Sequence, residues 1–326
     1  MLSGAPANDY LCSTYTADEI WTLLTDAVNN GFIIGAGTAG SGNDRQLNDY
    51  GLSESHAYAV LGIYPLVGKQ SGQVEHRLVQ MMNPWRFETY QGKWRDGDPV
   101  WTQHYKAQVP YTQRDDGKFF MDIESFKNCF LYFLIQYHRH DYITSYYDKQ
   151  NDNEGKLARY TFTTTLDNQT LHVAGDTYDP RMYAYGCKTS KVMAQLLVRK
   201  HSTDPKVSHP TLGEKYFSDW IGFGHTMLSN LPADTYEIWI QYSWPEDTAT
   251  KRNELKRDYT VRVYAEEAVE IRDSSGQTSV GDIGHDYEFW DSVLKARTEA
   301  AAGDTTSSSN EQDDEGDATS TQDDAT

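Results

Sequence analysis

Two apolar, β-rich segments face each other across a run of small residues, and this constrains the fold more than any other stretch of the chain. The first reads His56-Ala-Tyr-Ala-Val-Leu-Gly-Ile63 and the second Arg77-Leu-Val-Gln-Met-Met82, with Gly68, Ser71 and Gly72 between them. Apolar runs rich in β-branched and aromatic residues and bounded by glycine predict buried strands. The small residues between them predict a hairpin turn. Pairing through that turn brings His56, at the start of one strand, beside Asn83, just past the end of the other. Pro84 ends the strand pattern, and Trp85 is placed to roof the contact.

A histidine beside an asparagine on rigid strands has a specific chemical use. A cysteine thiol is mostly protonated at neutral pH and needs a neighbouring imidazole to hold it as thiolate. The imidazole in turn needs one fixed tautomer, which an amide oxygen sets by accepting its other N–H. Taken alone, a histidine on an apolar strand is more often a satisfied core residue, and Trp85 and Trp94 read as core aromatics. The Asn83-Pro-Trp85 box is what gives His56 its functional reading.

These segments resemble the calpain family of papain-like cysteine peptidases. The stretch Gly51-Leu-Ser-Glu-Ser-His56 onward is similar to the family's catalytic-histidine segment, and Met82-Asn83-Pro-Trp85 to its asparagine box. Gly92-Lys-Trp94-Arg-Asp96 and Asp116-Gly-Lys-Phe-Phe-Met121 follow in family order. The resemblance runs over about 18–141 and more weakly to about 273. It implies intracellular endopeptidase chemistry on polypeptides, with His56 as general base and acid, Asn83 as its orienter and Trp85 as a shield. It also implies a calcium site in this lobe, with oxygen ligands as a hard cation requires. Asp96 and Asp116 match two acidic ligand positions. Two departures weaken it: Thr89 and Lys118 stand where the family has Glu, although Glu88 is adjacent to Thr89. Weak or absent calcium binding is therefore expected.

The family's nucleophile lies in a Gly-Asp-Cys-Trp-like box on a separate N-terminal subdomain. None of Cys12, Cys129 and Cys187 is followed by Trp. Cys129 reads as a small buried hydrophobe. The chain taken alone is expected to have no turnover and to need a Cys-bearing lobe from elsewhere, so whether it is itself an enzyme stays open. The alternative is a non-catalytic pseudopeptidase that binds polypeptide as an interaction module. Three cysteines in 326 residues fit a reducing compartment, and no leader or membrane-length apolar run is seen, which points to the cytoplasm. The net charge of −19 without basic clusters argues against nucleic-acid partners.

The expected fold class is α+β. A β-rich catalytic subdomain occupies 1–150, an antiparallel, C2-like β-sandwich 154–273, and a short helix with a disordered acidic tail 282–326. Residues 1–16 read as a ragged lead-in. Ile20, Leu23, Leu24, Ala27 and Val28 fall on one face of a helix over 18–30, followed by a strand over 32–36. The glycine-rich stretch 35–42 lacks the lysine of a phosphate loop and reads as a mobile loop on the cleft rim. A strand over 119–121 and a helix over 123–136 complete the first unit. Period-two alternation at 236–243 and 259–265 supports the sandwich, and Asp176 and Asp179 read as solvated loop acids. The tail carries nine acids and no Lys or Arg over 298–326, a solubilising composition.

Overall fold

The structure is a computed structural model that describes residues 5–152, 154–177, 192–204, 209–219, 223–244 and 257–279. It is α+β and rich in antiparallel sheet. Cys187, Asp179, and the helix and tail expected over 282–326 lie outside the described residues.

The chain opens with a strand, β1 (Ala7–Leu11), where a ragged lead-in was expected. It pairs with β6 (Tyr132–Gln136) at one edge of the first sheet. Helix α1 (Ala17–Asn29) starts at a capping box: Thr16 Oγ1 accepts from Glu19 N–H, and the Glu19 carboxylate accepts from Thr16 N–H. These bonds satisfy two helix-end donors that would otherwise be orphaned. The left-handed backbone of Gly31 (φ 69°) ends the helix. Ile20, Leu24 and Ala27 are buried on one face, and each fully buried Ile or Leu contributes about 1.5–3 kcal/mol.

β2 (Ile33–Gly37), β3 (Ala57–Val67), β4 (Val74–Met82), a short helix α2 (Gln103–Lys106) and β5 (Lys118–Asp122) follow. They build a six-stranded sheet in the order β1-β6-β2-β3-β4-β5. Helices α1 and α3 (Ile123–Cys129) cover one face through Ile20, Leu24, Val79, Met81, Phe126 and their neighbours. The opposite face of β3–β5 is sealed by Leu66, Leu78, Trp94, Trp101 and Phe120. Trp94 is fully buried, 4.8 Å from the Trp101 ring. β4 is therefore covered on both faces, which holds its end in place.

The helix expected over 123–136 stops at Cys129, and residues 132–136 form β6 instead. A continuous apolar run reads equally as buried helix or buried strand. Here two flanking strands, β1 and β2, supply the pairing that decides for strand.

The second unit is a sandwich of a five-stranded sheet (β11-β10-β13-β8-β15) and a four-stranded one (β12-β9-β14-β7). Its strands are β7 (Ile143–Lys149), β8 (Ala158–Thr164), β9 (Gln169–Thr177), β10 (Val192–Lys200), β11 (Thr211–Asp219), β12 (Phe223–Leu231), β13 (Asp234–Ser243), β14 (Tyr259–Ala265) and β15 (Arg272–Asp273). Alternate residues of both sheets, such as Phe162, Val173, Leu196, Ile238 and Val261, share one core. β7 pairs along its length with β14, so the sandwich takes in residues 143–149, which sequence reading had placed in the first unit. Asp176 is not a loop acid. It lies on β9 and is clamped by the Arg262 guanidinium.

A strap over 137–142 joins the units. Tyr137 packs its ring 5.0 Å from that of His172, and the Tyr264 hydroxyl accepts from Arg139 N–H at 2.8 Å.

Candidate active site

In the β3–β4 hairpin Ala59 stands opposite Met82 and Val60 opposite Met81. That register leaves the residue before β3 and the residue after β4 at the same end. Those residues are His56 and Asn83, and their side chains meet at 3.1 Å through His56 Nε2 and Asn83 Oδ1. Asn83 is 1% exposed, whereas His56 is half-buried.

The Asn83 amide is fixed at both ends. Its oxygen accepts from Trp85 N–H at 3.1 Å, and its nitrogen donates to the Phe87 carbonyl at 3.2 Å. A backbone N–H only donates and a carbonyl only accepts, so no flip of the amide satisfies both. Its oxygen therefore faces His56 and can only accept, which places the imidazole proton on Nε2. Nδ1 is left with its lone pair free, as a base requires. The Trp85 ring lies 4.2 Å from the imidazole, tilted by 43°, and remains 38% exposed.

The sequence did not single out the residues that hold His56 itself. Thr38, buried just after β2, exchanges two bonds with it: His56 N–H donates to Thr38 Oγ1 at 3.1 Å, and Thr38 N–H donates to the His56 carbonyl at 3.0 Å. The Tyr58 ring meets the imidazole edge-on at 4.9 Å, and its hydroxyl accepts from Ser53 N–H. The glycine-rich stretch lies against this same segment. Gly42 N–H donates to Ser55 Oγ, and a Cβ on Gly40 would fall 2.5 Å from Glu54 Cβ. A Thr directly after a Gly-rich strand end was the available signal for Thr38; only the tertiary pairing gives it meaning.

Comparison with known proteins bears on the first unit. The calpain family cysteine protease model matches residues 1–135. Over those residues the chain carries the calpain-family sequence pattern. The chain is similar to calpain-type cysteine protease DEK1 of Arabidopsis thaliana, 34% identical over 33% of this chain and 5% of that protein. It is also similar to a calpain of Schistosoma mansoni, 35% identical over 26% of this chain and 11% of that one. Calpain-9 of Homo sapiens is 29% identical over 35% of this chain and 17% of its own length. The chain thus spans a small part of the length of these relatives.

The two described cysteines do not present themselves as nucleophiles. Cys12 and Cys129 are free and buried in the first core. Burial pushes the Cys12 thiol up to about 11 and the Cys129 thiol up to about 12, so neither is a thiolate near neutral pH.

The acidic residues matched to a calcium site lie under the Asn83–Glu88 segment. Asp96 Oδ2 accepts from Arg114 N–H, Asp115 Oδ1 from Glu88 N–H and Asp116 Oδ1 from Lys118 N–H. Burial, with Asp96, Asp116 and Asp115 nearby, pushes the Glu88 carboxyl up to about 8. A neutral acid accounts for its buried, unpartnered Oε1. Thr89, where the family has Glu, also leaves its hydroxyl unpartnered. The oxygen chemistry suits a hard cation, but the arrangement does not. Among the described residues no three Asp, Glu, His or Cys side chains come together as a metal-binding group. The Lys118 ammonium, moreover, rests 3.4 Å from Asp116 Oδ2.

Proposed function

We propose that this chain carries the base-and-orienter half of a calpain-type cysteine endopeptidase site and acts on polypeptides when a Cys-bearing lobe lies opposite His56. The observation that carries the reading is the doubly anchored Asn83 amide, which holds the half-buried His56 through Nε2 and leaves Nδ1 to serve as the base. In that role Nδ1 takes the thiol proton and later returns it to the leaving amine, while Asn83 keeps the ring oriented. With Cys12 and Cys129 buried, neither described cysteine is available for the base to activate.

The purified 326-residue protein should leave casein and fluorogenic peptides uncut, and addition of a calpain-type Cys-bearing lobe should restore cleavage. Turnover by the chain alone, abolished by Cys12→Ala, would overturn this. A second reading, a non-catalytic polypeptide-binding module, draws on the exposed Trp85 and Phe87 rings beside the site. Capture of unfolded peptide without cleavage, even in the presence of the second lobe, would favour it. The sandwich is the candidate C2-like partner of the protease domain. The two described cysteines, both free, fit a reducing, cytoplasmic setting, which fractionation of the tagged chain would check.

A further inference from the structure

The loop that holds Asn83 is closed by bonds that need no ion. Asn83 N–H donates to the Gly117 carbonyl at 2.8 Å. Five residues on, Glu88 N–H donates to Asp115 Oδ1 at 2.7 Å. Both ends of the Asn83–Glu88 segment therefore hang on residues 115–117. Gly117 sits so close beneath it, with φ 84°, that a Cβ would lie 2.7 Å from the Asn83 carbonyl oxygen and 2.8 Å from Arg86 Cα. The 115–117 turn is itself fastened to the first residue of β5. Lys118 binds Asp116 twice, through N–H to Oδ1 at 3.0 Å and through Nζ to Oδ2 at 3.4 Å.

We propose that the Lys118 ammonium is a tethered cation: it closes the 115–117 turn onto β5, so the His56–Asn83 geometry is held without a divalent ion. A covalently attached positive charge rests against one Asp116 oxygen. It also repels a second cation from the same group of carboxylates. Lys118 is thus a positioning residue acting on Asn83 through Asp116 and Gly117. Only its purpose, and not its mechanics, rests on the reading of His56 and Asn83 as catalytic.

The test is amide hydrogen exchange on the full chain, read at Asn83 and Glu88 in EGTA and in millimolar CaCl2, beside calcium titration calorimetry. The expected wild-type result is equal exchange in the two media and no saturable heat. Slower exchange at both amides in CaCl2, with a saturable heat, would overturn the proposal, and this arm needs no variant. Lys118→Met should speed exchange at Asn83 and Glu88 by about two- to fivefold, the effect of a half-exposed ion pair. Amides of β13 should not change, and Lys118→Arg should restore the wild-type rates. The imidazole 15N shifts of His56 should move in the Met variant toward those of mixed tautomers, which a purely stabilising lysine would not cause. Unchanged exchange and unchanged His56 shifts in Lys118→Met would also overturn it. None of these readouts involves cleavage, so failure of the proposed function leaves them interpretable.

Discussion

His56 in the first unit and Glu237 in the sandwich are both ionisable residues set beside a tryptophan, yet they are partnered in opposite ways. Burial alone would raise the Glu237 carboxyl. Hydrogen bonds from Arg199, Trp239 and His201, at 2.7, 2.8 and 2.9 Å, instead bring it down to about 2. It is 1% exposed, with its charge spoken for on every side. His56 has one nitrogen held by Asn83 and the other open. A saturated acid stabilises a sheet; an imidazole with one side fixed and the other free can do chemistry. An ionisable residue beside a tryptophan therefore reads as scaffold in one unit and as candidate site in the other.

The sharpest way to break this contrast is His56→Ala in the enzyme assembled with a Cys-bearing lobe. Loss of the base should lower kcat/KM by about 10²- to 10⁴-fold without shifting the thermal melt. An unchanged rate would make His56 a core residue after all. Glu237 should show the reverse, an effect on stability and none on activity. Its folded value lies below the unfolded 4.5, so its contribution is present above that pH and is lost as pH falls toward about 2. Acid titration of the melt should show a loss on the order of 3 kcal/mol across that window, flattened in Glu237→Gln. Gly117→Ala comes next. Strain at positive φ and the clash with Asn83 should cost about 1–3 kcal/mol, visible in denaturant midpoint. The smallest effect is expected for Trp85→Ala, about tenfold or less in kcat with KM less changed, because Trp85 shields the His56–Asn83 bond but does not make it.

The hairpin, and the meeting of His56 with Asn83 at its end, were legible because their order, spacing and turn residues all pointed one way. The sandwich strands at 234–243 and 259–265 were legible through period-two alternation. What escaped was decided by partners distant in sequence. β1 has no pattern of its own and exists because β6 offers it an edge. Residues 132–136 became strand because β2 and β1 flank them. Residues 143–149 joined the sandwich because β14 lies waiting 110 or more residues later. At the site, Asp115 escaped for the same reason: its bond to Glu88 spans 27 residues. Lys118 was legible as a departure from the family pattern, but the residue it touches was not.

The way Asn83 is anchored also fixes when the ordering of the site takes place. Three of its bonds are to main-chain groups, namely Trp85 N–H, the Phe87 carbonyl and the Gly117 carbonyl. Main-chain geometry is set once, when the strands assemble. The imidazole therefore gives up its rotational freedom during folding, and on the proposed function a substrate arriving later would meet a ring already oriented.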